Sequence, residues 1–546
     1  KVQATISLVN AWGDADRQTG WFDYYNQRWE TDLLGPRPAE RAESLMEWDT
    51  PDLLGRNEGQ PGWYRYRGCI NHPAWREILK AFVRTGIETG FDGFMIQFGH
   101  ARGACVCAHC QAEFRRFLSG RSRDDLAALG ITDLSNHVFS FTAPRPGQLD
   151  PLDLAAREFT EERIAAVCEE VFIRYGRSLK PDLLVSKWFH FRQFLGDDTG
   201  NTNLAALVDE RSLIPADRWC RGEDYVWYST PVYRSDLKSG KTGDAALEGR
   251  YLRAICGETP FEVLKYDYFR WRVTVGEALA QGGIAFGAWK GGWSGGQDRE
   301  DPHLKTYFDF IRKQDRFWQR RQSHAEVGLL FPREALRRGD ASFLDGFRRI
   351  GRALAGGAFL FDVIIDQQMD AAELARHRLI VIPESRYMTP LQGQWIDAYR
   401  QAGGRVLTLA GNATRDVNQA WSVYRGDGDA PESIRSAVRE LLGDAGSSFD
   451  VPWTVQVYAD RQIAAKRMLL HLVNFNRDES RDGYESPIAA SPARIDLRLP
   501  DGFKVRRVRF LTPEARPRSL RFETAPNQLQ MITPGWVVYG LCVIEG

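Results

Sequence analysis

The sequence predicts an α/β protein: a (β/α)8 (TIM) barrel, incomplete on its N-terminal side, then a second α/β domain and a small C-terminal β-sandwich. Three observations predict it. Residues 1–322 alternate short β-rich runs with long amphipathic helices, the pattern of parallel strands joined by crossover helices. Residues 323–450 carry short strands that are apolar throughout, as strands buried on both faces must be. Residues 451–546 alternate apolar and polar positions at period two, the mark of antiparallel strands with one face in a core. A chain of 546 residues is also too long for one core, and three domains suit it.

Taken in order, the barrel strands are expected at 4–10, 93–98, 183–189, 224–229, 260–266 and 283–289. Helices with apolar residues at 3.6 spacing are expected at 73–89, 112–118, 158–179 and 271–281. That gives six strands where a closed barrel has eight. Either two are disguised in loops or, the preferred reading, the chain enters partway round. The start at Lys1 rather than Met fits a processed, truncated or renumbered chain. In the middle domain 327–332, 361–365, 379–383 and 405–409 read as the strands of a doubly wound sheet. The sandwich strands are expected at 468–474, 493–499, 505–511, 519–522, 530–532 and 536–544.

Composition narrows the partners. Lys plus Arg and Asp plus Glu are 72 each, so no global field favours nucleic acid or an anionic membrane, and a polyanion would need a local patch. No apolar run reaches eighteen residues, so no membrane span is expected. Cytoplasmic, periplasmic and secreted locations all remain open. The 17 Trp are dense for a globular protein; clustered Trp and Tyr line carbohydrate clefts, although most also serve to fill a large core.

Cys105-Val-Cys-Ala-His-Cys110, with Cys69 about forty residues earlier, has the spacing of a four-sulfur metal site. Two short bites supply Cys105, Cys107 and Cys110, and a distant loop supplies Cys69. A closed four-thiolate shell around Zn²⁺ leaves no open position, so the metal is read as structural. The alternative is a group of buried free thiols. His72 and His109 lie nearby and are read as surface residues rather than ligands. Cys168, Cys220, Cys256 and Cys542 are scattered and do not form a disulfide framework.

Cys69-Ile-Asn-His-Pro73 and Cys105-Val-Cys-Ala-His-Cys110, followed by Gln111-Ala-Glu-Phe114, resemble the cysteine cluster of glycoside hydrolase family 42, the β-galactosidases. The domain order resembles that family over nearly the whole chain. The middle domain resembles a class I amidotransferase fold, but no Cys lies between Gly257 and Leu541, which excludes a thiol-based glutaminase. The resemblance implies a carbohydrate substrate and a homo-oligomer, a trimer built through 327–412.

The catalytic positions depart from the family. Its acid/base Glu ends the fourth strand, where Met95-Ile-Gln-Phe-Gly99 places Gln97, a side chain that cannot exchange a proton. Its nucleophilic Glu should end strand seven, where this chain has Lys265, with Glu262 three residues earlier and therefore on the opposite face unless a bulge intervenes. Three readings follow: a shifted register, an inactivating Glu-to-Gln replacement at 97, or a changed reaction. Hydrolysis needs two carboxylates at strand ends. Glu223 is the first choice, with Asp224 beside it and Glu262 next; the competing role for each is an ion pair such as one with Arg221. Gln97, His190, Lys265, Tyr266, Trp227 and Trp289 are expected to contact the sugar. Lys187, Arg192, Lys265 and Lys290 would suit an anionic sugar, and that supports a rival β-elimination from a uronic-acid glycoside, with Tyr266 or His190 as base. A third reading is a barrel that binds sugar without catalysis.

Overall fold

The computed structural model describes residues 1–47, 64–97, 105–139, 151–190, 216–218, 220–229, 237, 242–265, 271–287, 303–338, 340, 342–409, 422–424, 431–444, 446–478 and 486–546. They divide into two compact units. The first comprises Lys1–His190, Thr202–Trp227 and Leu336–Asp340. The second holds the remaining residues, including two strands expected in the barrel.

In the first unit a parallel sheet has the order β1 (Gln3–Ser7), β5 (Gly93–Gln97), β6 (Leu184–His190) and β7 (Tyr225–Ser229, in this unit through Trp227). A small antiparallel sheet of β2 (Asn10–Asp14), β3 (Thr19–Gly20) and β4 (Tyr64–Arg67) follows the end of β1. Register separates the two faces of the parallel sheet. Ser7, Gln97 and Trp188 pair across β1, β5 and β6, as do Thr5, Met95 and Ser186. The alternate positions Phe94, Ile96 and Val185 enter an apolar core with Trp75, Ile78, Leu79 and Val83 of the helix Pro73–Glu88 and with Phe172. Each such side chain contributes about 1.5–3 kcal/mol on burial. The mixed face is thus left concave. Tyr225 of β7 donates a hydrogen bond to Gln3 of β1, although two strands intervene and a flat sheet would hold those backbones about 14 Å apart. The sheet is therefore strongly curled. Gly93 allows the close approach of β6, because a Cβ there would lie 2.2 Å from the Leu184 carbonyl oxygen.

The helix expected at 158–179 is three segments: the α-helix Pro151–Cys168, a π-helical stretch Glu169–Tyr175 and the short helix Gly176–Leu179. No sequence signal marks the change in winding.

In the second unit β8 (Phe261–Lys265) pairs in parallel with β9 (Ile284–Gly287), each beside its helix, Asp244–Cys256 and Trp271–Gln281. The middle sheet is parallel, ordered β12 (Phe361–Ile365), β11 (Val327–Phe331), β13 (Leu379–Ile382), β14 (Arg405–Leu409) and β15 (Ser422–Tyr424). This is the doubly wound order in which the chain reverses direction beside the first strand. The C-terminal part is a sandwich. One antiparallel sheet runs β10 (Gln322–Ser323), β17 (Val455–Gln462), β18 (Arg467–Asn474), β24 (Tyr539–Glu545), β20 (Arg507–Thr512), β21 (Ala515–Ser519). The other runs β16 (Ser448–Asp450), β19 (Arg494–Arg498), β23 (Gln528–Ile532), β22 (Phe522–Ala525). Val457, Leu470 and Phe510 of the first meet Ile495, Leu497 and Leu529 of the second in one core. The strand expected at 519–522 is instead a crossing, where the chain leaves one sheet at Ser519 and joins the other at Phe522.

A buried charge network ties the helix Asp244–Cys256 to the sandwich. Asp460 lies 2.7 Å from Arg253, 3.1 Å from Arg321 and 3.5 Å from His471. Complete burial would raise its carboxyl, but the Arg253 and Arg321 guanidinium groups and a hydrogen bond from His471 hold it well below the ordinary range. No described helix is long and apolar enough to cross a membrane.

Candidate functional site

The thiols converge. Cys69 sits in the turn after β4, its N–H bonded to the Leu45 carbonyl oxygen. Cys107 is the N-cap of the helix Ala108–Leu118, and its sulfur accepts from the Cys110 N–H at 3.5 Å. The ligand atoms of Cys69, Cys105, Cys107 and Cys110 all lie within 4.8 Å of one another. Cys69 Sγ is 3.4 Å from Cys110 Sγ and 3.7 Å from Cys107 Sγ, far beyond a disulfide bond of about 2.05 Å. A tetrahedral zinc site with Zn–S bonds of about 2.3 Å requires sulfur separations of about 3.8 Å. The donor set fits a metal ion with little adjustment, and all eight cysteines are free of disulfides.

Hydrogen bonding within the group favours one thiolate over the others. Hydrogen bonds from the Cys105, Cys110 and Cys69 thiols hold the Cys107 thiol far below its ordinary value. Hydrogen bonding within the same group pushes Cys69 and Cys110 up. Asn71 Nδ2 donates to Cys110 Sγ at 3.3 Å, and Arg163 Nε fixes the amide by donating to its Oδ1 at 2.8 Å. The expectation that His72 is a surface residue is corrected: it is buried, and its Nδ1 accepts from the Ala74 N–H as the N-cap of the next helix. His109, half-buried, packs edge-on against it at 4.5 Å.

The second cluster lies on the concave face. Gln97 ends β5, half-buried, and its carbonyl oxygen accepts from the Leu8 N–H at 2.9 Å. Its register partner Trp188 meets Trp227 of β7 with ring centroids 5.0 Å apart. Both indoles are more than nine-tenths buried. Ser186, one step down β6, is fully buried, and its Oγ has no hydrogen-bond partner among the described residues. An aromatic pair with an amide and a hydroxyl on one concave face is the kind of surface that stacks on and hydrogen-bonds to a polyol. Sequence reading missed Trp188 and Ser186. Their signal was the strand alternation that puts them on the face of Gln97.

The carboxylates are elsewhere. Glu223 and Asp224 precede β7, so they lie at the N-terminal end of the strand, opposite the end where this fold class does its chemistry. Glu223 is buried and ion-paired with Lys187, which lies on the helix-facing side of β6 between Ser186 and Trp188. Asp224 accepts from the Val185 N–H at 2.7 Å and from Arg177 at 2.9 Å, and so pins β7 to β6. The position and partners of this pair are those of residues that hold strands together, and its expected catalytic role is not tested by them.

Glu262 is the second residue of β8, again near the wrong end, and burial pushes its carboxyl up to about 7. The ladder from Glu262 to Lys265 runs in unbroken register against β9. His190 and Lys265 end their strands as expected. Tyr266 and Trp289 lie outside the described residues. The six strands β1 and β5 to β9 end in Ser7, Gln97, His190, Ser229, Lys265 and Gly287, with no acid among them.

No family model matches the sequence, and no curated protein sequence does. Solved structures do. A β-galactosidase from Bacillus circulans sp. alkalophilus is similar with a TM-score of 0.57 at 12% identity, over 88% of this chain and 84% of that one. The chain carries a GH42-like fold. The same architecture appears in a GH42 β-galactosidase from G. stearothermophilus, with a TM-score of 0.56 and 13% identity over 88% and 83% of the two chains. An α-L-fucosidase isoenzyme from Paenibacillus thiaminolyticus matches all of this chain and 87% of its own, with a TM-score of 0.56 and 14% identity. At these identities the likeness concerns the fold, and the GH42-like frame is what positions Gln97, Trp188 and Trp227.

Proposed function

We propose that this protein is a glycoside hydrolase that removes a terminal sugar from an oligo- or polysaccharide. The observation that carries the reading is the Trp188–Trp227 pair beside Gln97, on the concave face of a sheet in a GH42-like fold. Trp188 and Trp227 back the sugar site, while the half-buried Gln97 hydrogen-bonds a hydroxyl. Hydrolysis calls for two carboxylates near the strand ends, and none of the described strand-end residues is acidic. That same absence favours a second reading, β-elimination from a uronic-acid glycoside. There an amide such as that of Gln97 stabilises the enolate-like anion and a histidine or tyrosine base takes the proton.

One experiment separates them. Incubation with neutral and acidic oligosaccharides releases reducing sugar without new ultraviolet absorbance in hydrolysis, and gives the unsaturated-uronate absorbance in elimination. Neither product, with binding retained, leaves a sugar-binding barrel. Gln97→Glu should raise turnover in a hydrolase and abolish elimination.

The four sulfurs hold structural Zn²⁺ in this reading. Bound there, the ion contributes folding free energy and no reaction step. Cys69 joins the loop after β4 to the helix Ala108–Leu118 through it, and Asn71 orients the Cys110 sulfur. The doubly wound domain is the proposed self-association surface, with a trimer as the expected state by light scattering.

A further inference from the structure

The chain is neutral as a whole, but its charges are not evenly spread. Residues 504–521 hold seven basic side chains and a single acid. They form the β20–β21 hairpin of the sandwich and its flanks. Lys504, Arg506, Arg507, Arg516, Arg518 and Arg521 are all exposed, and none of them has an ion-pair partner among the described residues. Arg509 alone is paired, with Glu545 at 3.0 Å. The one acid is turned out of use: Glu514 accepts from Tyr307 Oη at 2.6 Å and from Thr512 Oγ1 at 2.6 Å, and so does not neutralise the arginines.

Protection of a sheet edge explains part of this. β21 is a fully exposed edge strand, and Arg516, Pro517 and Arg518 on it discourage pairing with another chain. Lys504, Arg506, Arg507 and Arg521 need another account. Arg507 is on β20, which is already paired on both sides, and the other three lie outside the edge strand. Six unneutralised cations on this hairpin and its flanks create a local positive potential that the zero net charge conceals.

We infer that the β20–β21 hairpin is a docking surface for a polyanionic glycan, sulfated or uronate-rich. The inference rests on the reading of the chain as a carbohydrate-active enzyme, which is what favours a glycan over other polyanions. Guanidinium groups pair with sulfate or carboxylate in a fork geometry, and each contact displaces a counterion, so such binding depends steeply on salt.

The test uses the full chain and fluorescein-labelled heparin, with neutral dextran and single-stranded DNA of matched charge as comparators. Heparin should bind at about 50 mM salt and weaken about tenfold or more by about 200 mM, while dextran does not bind. The variant Arg507→Gln/Arg516→Gln/Arg518→Gln/Arg521→Gln should lose affinity by about tenfold or more, with an unchanged circular dichroism spectrum and thermal midpoint. Arg123→Gln, at an exposed position elsewhere, should bind as the parent does. Parent-like heparin affinity in the fourfold variant would overturn the inference, as would equal affinity for DNA. Heparin binding without turnover of any oligosaccharide would support the hairpin site and sink the proposed activity. Turnover without heparin binding would do the reverse.

Discussion

Replacing Lys187 with Met tests the assignment of Glu223 to the fold rather than to chemistry. The two side chains are 1% and 0% exposed, so the carboxylate left behind by the substitution is buried without its ammonium partner. Breaking a buried pair from one side costs about 3–5 kcal/mol. A loss of about 3 kcal/mol corresponds to roughly two orders of magnitude in the opening equilibrium. Hydrogen exchange read by mass spectrometry on peptides covering β6 and the start of β7 should therefore accelerate by about a hundredfold, with the second unit unchanged. The double variant Lys187→Met/Glu223→Leu should recover most of that protection, because an apolar pair of similar volume needs no desolvated charge. Glu223→Gln should lower protection there and reduce turnover only as far as the folded fraction falls. Parent-like exchange in Lys187→Met, or loss of turnover in Glu223→Gln with exchange unaltered, would refute the structural role.

Cys107→Ser should release the metal, taking zinc by elemental analysis from about one per chain to near none; a metal-free native protein would reject the site. Asn71→Leu keeps all four sulfurs and should weaken zinc retention against a chromophoric chelator by about tenfold or more. Glu262→Gln should alter the pH dependence of stability. With a folded pKa of about 7, above the unfolded value near 4.5, the stability Glu262 contributes is fully present below about 4.5 and is lost as pH rises through about 7. Denaturant midpoints measured across that window should fall in the parent and stay flatter in the variant. Trp188→Ala should raise KM for an oligosaccharide by about tenfold with a smaller change in kcat.

Much of the frame could be read from the residues. Apolar runs such as Leu379–Ile382 have one place to go, inside a sheet covered on both faces, and they lie there. The thiol spacing was equally legible, since two short bites leave few arrangements other than convergence. β17 is not among the expected strands, and its polar positions Tyr458, Asp460 and Gln462 give no sign in the sequence of being buried. They are buried by partners far away in sequence, Arg253 and Arg321 among them. The place of Glu223 in its strand was not legible for a related reason. Two adjacent acids before an aromatic strand look poised for chemistry until the strand's start is known, and Gly222, with φ of 71°, marks the turn that leaves them at its entrance. His72 was hidden by local geometry: a histidine before proline can cap a helix, and only the backbone shows that it does.

The four clustered cysteines all fall between residues 69 and 110. During synthesis they leave the ribosome together, while β6 and every later strand are still untranslated. Convergence of that loop with the helix at Ala108 needs nothing from the distant half of the polypeptide. The nascent chain thus gains a fixed corner early, against which the strands made afterwards are laid down.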